Sequence, residues 1–301
     1  MTIANISSGG MGRPFVADQI ADLPEQLISV IQDQPWYQET FELIFVIPPQ
    51  AFYRGLFGIR TVPWQALLFK EDGVLYICAA KDHKDRQGRI DWIPSDQIIQ
   101  IRLALILLYS KLEFWYDHQG ELKYNMIEFN SVAYHKLEPH LKKTIRNTWQ
   151  SPPEKPETVW AEYADLEQLN LKFYNGLKLY GLQVDEKVLG FVFQPEIFEK
   201  SLRFIKRKKS PNSLVVITDR QIIRIEEEIS SRSRYGWIFT FCPRHRIAGI
   251  EIAAVDQWYR VCIHSISEAS EDNLEFILEP DKMERFQKIW QNFFNEGFEG
   301  K

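Results

Sequence analysis

The densest run of chemistry-bearing side chains is Lys206–Arg207–Lys208–Lys209, with Arg203 three residues before it. Clustered cations attract anions. An anionic lipid surface would gain about 1 kcal/mol per charge, and an acidic or phosphorylated protein segment is the other natural target. Between Lys200 and Arg246 basic residues outnumber acidic ones by about eight, in a chain whose formal net charge is -5. Arg232 and Arg234 fall in a hairpin loop, and Arg244, His245 and Arg246 at a strand start; both groups can extend the patch. The plainer role for such a run is a solvated segment that keeps an edge strand from pairing with other chains.

No other constellation selects a reaction. Glu226–Glu227–Glu228 reads as a solvated strand end, because acid–base work needs two fixed carboxylates in different environments. Ser231, Ser233 and His245 have no spacing that makes them nucleophile and base. The 6 histidines are scattered, and His135 and His140 are too far apart to stack on one helix face. Neither His-Glu-x-x-His nor Cys-x-x-Cys occurs, so no metal is expected. Without a Gly-x-Gly-x-x-Gly or Walker loop, no nucleotide cofactor is expected either. Trp36, Tyr37, Phe52, Tyr53, Phe57 and Trp64 crowd one stretch, where core packing competes with a peptide groove.

With 301 residues, 45% of them hydrophobic, the chain can fill two ordinary cores. The mild negative charge argues against a nucleic-acid binder, which needs a basic footprint. Cys78, Cys242 and Cys262 are odd in number and far apart, which suits a reducing compartment. Met1 to Gly12 lacks a basic region followed by an apolar block, so no secretory signal is expected there. Leu103–Tyr109 is far too short to span a bilayer. The expectation is a cytoplasmic protein, with peripheral membrane attachment as the alternative.

The elements that must position these residues are mostly strands. Leu214–Ile217 and Gln221–Glu226 flank a Thr218–Asp219–Arg220 turn, with Ile223 and Ile225 on one face and Arg224 and Glu226 on the other. Ala66–Ile77 is a weaker hairpin of the same kind. Glu42–Ile47 is a strand stopped by Pro48–Pro49, and further strands are expected at 98–108, 111–116, 122–129, 186–193 and 273–278. Asp22 can cap a short helix carrying Leu27, Ile28 and Ile31. Leu137, Leu141, Ile145 and Trp149 step at helical spacing, and Pro139 places that helix's start near Glu138. Lys81–Arg89 reads as a charged loop. The expected organisation is a loose tail at 1–18, a first unit at 19–150, a Pro-containing linker at 151–160, a second unit at 161–296 and a tail at 297–301.

The two units echo each other. Ala164–Leu169 repeats Ala21–Leu27, the stretch 194–198 repeats 48–52, and Pro243–Ile252 repeats Pro94–Leu103, proline on proline. The spacing between copies drifts only over about 143 to 150 residues, and one ordered series of matches at one spacing marks an internal duplication. Each copy reads as a leading helix, about seven strands and an amphipathic closing helix, the second carrying Phe286, Ile289, Trp290 and Phe293. The second copy resembles the bacterial pleckstrin-homology-like domains, relatives of the GRAM group, through Val216–Ile223 with its Thr-Asp-Arg turn and through Pro243–Ile250. The first copy departs from them, with Lys70–Glu71–Asp72–Gly73 at the turn. The resemblance implies a mainly β (α+β) chain: two PH-like barrels, each a bent antiparallel sheet capped by a C-terminal helix. It also implies a non-catalytic module that binds a protein or peptide. Lipid-binding relatives hold a headgroup in the loop that corresponds to 203–209, so Arg203, Lys206, Arg207, Lys208, Lys209, Arg232 and Arg234 are the candidate ligand residues. An enzyme with an unrecognised site ranks last. Strand edges leave room for a homo-oligomer.

Overall fold

A computed structural model describes residues 12–53, 59–80, 88–149, 164–184, 186–202, 205–228, 236–266 and 273–295. The protein is mainly β, built from several antiparallel sheets and a few helices. The first half runs β1 (Phe15–Ala17), α1 (Glu25–Ile31), β2 (Leu43–Ile47), β3 (Gln50–Tyr53), β4 (Ile59–Val62), β5 (Gln65–Lys70), β6 (Gly73–Cys78), β7 (Arg89–Pro94), β8 (Ile98–Ile106), β9 (Tyr109–His118), β10 (Glu121–Phe129) and α2 (Tyr134–Asn147). The second half runs α3 (Ala164–Leu169), α4 (Leu171–Gly176) with a π-helical turn at Leu177–Gly181, β11 (Val188–Gln194), β12 (Ile197–Leu202), β13 (Ile205–Ser210), β14 (Ser213–Thr218), β15 (Gln221–Glu227), β16 (Trp237–Pro243), β17 (Ile247–Val255), β18 (Trp258–Ser265), β19 (Leu274–Leu278) and α5 (Pro280–Asn295).

The same order of elements occurs twice. Strands β2-β5-β6-β7 pair in sequence, as do β11-β14-β15-β16, and each set has a two-stranded excursion (β3–β4, β12–β13) after its first strand. Each is followed by a three-stranded meander, β8-β9-β10 or β17-β18-β19, and then by a helix. The corners match in detail. Pro94 ends β7 and Pro243 ends β16, each leads through one 3-10 turn, and each next strand opens on an isoleucine with a register shift in its first residues.

Helices on both sides explain the unbroken apolar runs. A sheet buried on two faces needs no polar alternation, and β2 and β14 are buried along their whole lengths. Leu27 and Ile31 of α1 cover Ile44, Val46, Leu68 and Leu75 on one face, while Leu137, Leu141 and Ile145 of α2 close the core on the other. In the second half Phe173 and Leu177 cover Val216, Ile223 and Phe239. Met283, Phe286 and Phe293 of α5 pack on Val215, Ile217, Val261 and Phe276, and Trp290 stacks on Phe286 with ring centroids 5.7 Å apart. Each such buried aromatic contributes roughly 1.5–3 kcal/mol. Gly190 lets α5 lie close, since a Cβ there would stand 2.7 Å from Ile289 Cγ1.

Four expectations need correction. The tail expected through residue 18 is ordered at its end: Phe15–Ala17 pair with β2, since Ala17 and Phe15 find apolar cover beside α1. Asp22 closes a 3-10 turn, and Pro24 takes the N-cap place of α1. Helix α2 begins at Tyr134, so Pro139 lies inside it. The amide it lacks would have bonded to the carbonyl of His135; buried Leu137 and Leu141 hold the helix across that gap. Finally, Lys206–Lys209 are not in a loop. They lie on β13, whose backbone pairs with β12 from Ile197 to Leu202. The linker expected at 151–160 lies outside the described residues.

Candidate interaction surfaces

The Thr218–Asp219–Arg220 turn is a structural knot. Thr218 Oγ1 accepts from the amides of Arg220 (3.1 Å) and Gln221 (2.9 Å) and donates to Glu186 Oε1 at 2.6 Å. Asp219 Oδ1 accepts from the Lys187 amide at 2.9 Å, and the Arg220 carbonyl accepts from the Arg244 amide at 2.8 Å. Three segments thus meet at one turn, which is why side chains that bond back to their own backbone are used there. Glu186 is buried, and desolvation pushes its carboxyl up to about 7 against the pull of its hydrogen bonds. Burial also raises Asp219.

The basic run divides. Lys208 Nζ is 2.7 Å from Glu196 Oε2. Lys209 Nζ lies 4.3 Å from the centre of the Trp258 ring and 3.6 Å from Asp256. Lys206 and Arg207 stand on β13 opposite Lys200 and Glu199. Arg203, Arg232 and Arg234 lie outside the described residues. Phe198, opposite Lys208, is 45% exposed. Arg244 stacks on Phe293 of α5, and Arg246 reaches the Asp96 carbonyl in the first half.

The strand edges differ more sharply than any side-chain cluster. β8 pairs antiparallel with β16, Ile101 opposite Phe241 through Leu105 opposite Trp237, so one seven-stranded sheet runs through both halves. Phe239 and Phe241 fall beside Leu103 and Ile101 on the helix-covered face. On the other face a row of charges crosses the seam. Arg102 sits 3.3 Å from Glu226 and 3.9 Å from Glu113, and Arg224 lies 2.5 Å from Glu226. Tyr124 donates to Glu113 at 2.7 Å, and burial first, then the Glu113 charge, holds that phenol protonated. Paired charges on a half-buried sheet face fix register better than they add stability.

The counterparts of the seam strands end their sheets. β7 closes the order β1-β2-β5-β6-β7, and β17 opens the order β17-β18-β19. Beside β7 runs a groove of about 380 Å³ between Ile90, Asp91 and Trp92 and the β9–β10 hairpin at Tyr116, His118 and Lys123. Trp92 stacks on Trp36, centroids 4.8 Å apart, and Arg89 is 2.5 Å from Asp91. Tyr116, against the groove, accepts from Asn125 at 3.0 Å, and its phenol is pushed up to about 12, by burial and by Asp91. The neutral Tyr116 phenol and the Arg89-paired Asp91 carboxylate give this slot a polar lining. β17, Ile-Ala-Gly-Ile-Glu-Ile-Ala-Ala-Val, leaves Ile252 and Val255 each 36% exposed.

Sequence reasoning placed its candidate residues on the cations and allowed for binding at a sheet edge, without saying which edge. The signal was present in β17, nine residues with one charge, but exposure could not be read before its partner strand was known. Of the aromatic cluster, Trp36, Tyr37 and Trp64 pack on the α1-covered core. Among the described residues no group of three or more His, Cys, Asp or Glu could hold a metal ion, and no helix is long and apolar enough to cross a membrane. The chain matches no family model and no curated protein.

Proposed function

We propose that the protein is a non-catalytic binding module, a tandem of two PH-like domains that takes a protein or peptide strand at an open sheet edge. The observation that carries this is the slot beside β7. It combines a strand edge with no partner among the described residues, Trp92, and the polar side chains of Asp91, His118 and Lys123. Strand addition draws affinity from main-chain hydrogen bonds and selectivity from alternate side-chain pockets. Support for the PH-like reading comes from the twofold order of four strands, three strands and closing helix, together with the resemblance of the Thr-Asp-Arg turn. The test is a random peptide library displayed against the dilute protein, followed by hydrogen exchange of the complex. Selected peptides are expected to protect residues 88–92. Protection confined to other segments, or no selection, would overturn the reading.

A second reading has its own observation. Phe198 is exposed opposite Lys208 of β13, the pairing of an apolar anchor with positive charge that suits an anionic lipid surface. Co-sedimentation with phosphatidylserine vesicles at low salt tests it. Binding should fall when Phe198→Ala is combined with Lys206→Glu and Arg207→Glu, and failure of the native chain to sediment would dismiss it.

A further inference from the structure

The seam inside the chain is heterologous: a meander strand from one half meets a first-sheet edge from the other. Each half owns both kinds of edge, so one seam uses β8 and β16 and leaves β7 and β17 over. The leftover strands carry the same geometry as the used ones. β17 repeats β8 in length, in the register shift near its start, and in the hairpin to the next strand, Ile106 facing Tyr109 as Val255 faces Trp258. β7 repeats β16 up to the shared proline corner. A long apolar edge is what folded proteins ordinarily blunt, and among the described residues β17 has only Glu251 and the register shift at its start to do so.

We propose that the chain assembles head to tail, β17 of one copy adding antiparallel to the β7 edge of the next in the register of the internal seam. The occupant is a second copy because the contact continues an interface the chain already makes with itself. Transposing the β8–β16 pairs places Ile250 opposite Trp92, Ile252 opposite Ile90 and Ala254 opposite Gly88. Ile250 and Ile252 would then extend the apolar surface that Trp92 and Ile90 share with α1, as Leu103 extends that of Phe239 under α4. Glu251 falls opposite Asp91, a like-charge pair that opposes the contact, and Arg89, already paired with Asp91, stands on the diagonal to offset it, so the seam is charge-sensitive there. Because the contact is heterologous, it propagates into an open row or closes into a ring. This deepens the strand-accepting reading above, naming β17 as the strand.

Sedimentation velocity of the full chain over a wide concentration range tests it, beside Ile252→Lys and the pair Ile90→Cys with Ile252→Cys. The native chain is expected to grow with concentration beyond a dimer or to close at one ring size. Ile252→Lys should remain monomeric with an unchanged melting temperature, its side chain being exposed. Under mild oxidation the double cysteine variant should give a ladder of disulfide-linked multimers that neither single variant gives, which also controls for the three native cysteines. A native chain that stays monomeric throughout, association that survives Ile252→Lys, or a dimer from Ile252→Cys alone would each overturn the proposal. The last would mean β17 pairing with itself. Peptide protection at 88–92 in a chain that stays monomeric would leave the strand-accepting reading standing and remove only the second copy.

Discussion

β8 and β17 are the same strand in two settings. In β8, Ile101 and Leu103 are each 1% exposed, sealed by β16 and two helices; in β17 the counterpart of Leu103, Ile252, is 36% exposed. Composition does not separate them, since both are nine residues long and rich in Ile, Leu, Val and Ala. What separates them is a neighbour: β8 pairs with β16, whereas β17 has β18 alone among the described residues. A duplicated heterologous unit satisfies one edge of each kind and exposes one of each, so burial at a given position reports place in the array more than side-chain type.

Substitutions at matched positions can break or sharpen this comparison. The largest effect is expected at the used seam: Leu103→Ala should cost about 2–5 kcal/mol by leaving a cavity between Phe239 and Leu112, while Ile252→Ala should stay within about 0.5 kcal/mol at dilute protein. Urea denaturation of both variants measures the contrast, and equal losses would erase it.

Glu186 comes next. Its folded carboxyl is raised to about 7 from 4.5, so the native state keeps a proton that the unfolded chain releases in that window. Stability should therefore fall as pH rises from 4.5 to 7, by up to about 3 kcal/mol, and level off above. Glu186→Gln should flatten the profile of melting temperature between pH 5 and 8. An unchanged slope would show that the second half's turn does not depend on this proton.

Arg102→Ala should cost about 1 kcal/mol, because Arg102 is partly exposed and bridges Glu113 and Glu226, which keep Lys111 and Arg224 as partners. Adding Glu226→Gln should return part of that loss, a coupling measured by the double-mutant cycle. The smallest effect is expected at Gly249, the β17 match of buried Gln100. Nothing stands within 4 Å of a Cβ built there, so Gly249→Ala should leave stability level or raise it by under about 1 kcal/mol.

The sequence made the hairpins, the proline corners and the closing helices legible, because each is a local pattern: β-branched runs across a tight turn, or apolar residues at helical spacing. The two leading helices and the faces of β15 followed from the same signals. Strand β7 was hidden because Arg89–Ile90–Asp91–Trp92 alternates charge with apolar bulk directly after a charge-dense stretch, so it merged with the expected loop. β13 was hidden in the same way by its lysines. The seam could not be read at all: Arg102 and Thr240 are far apart in the chain, and each strand looks like the edge of its own unit. The candidate site narrowed accordingly, from the basic segment or any sheet edge to β7 and β17, the seam counterparts that end their sheets.

Backbone hydrogen exchange on the native, dilute chain tests the unequal use of these repeated strands most directly. Residues 101–105 of β8 should be protected close to the level of global unfolding, while 250–254 of β17 exchange far faster, with half their amides unprotected. Equal protection of the two segments in monomeric protein, or rapid exchange through β8, would contradict the account.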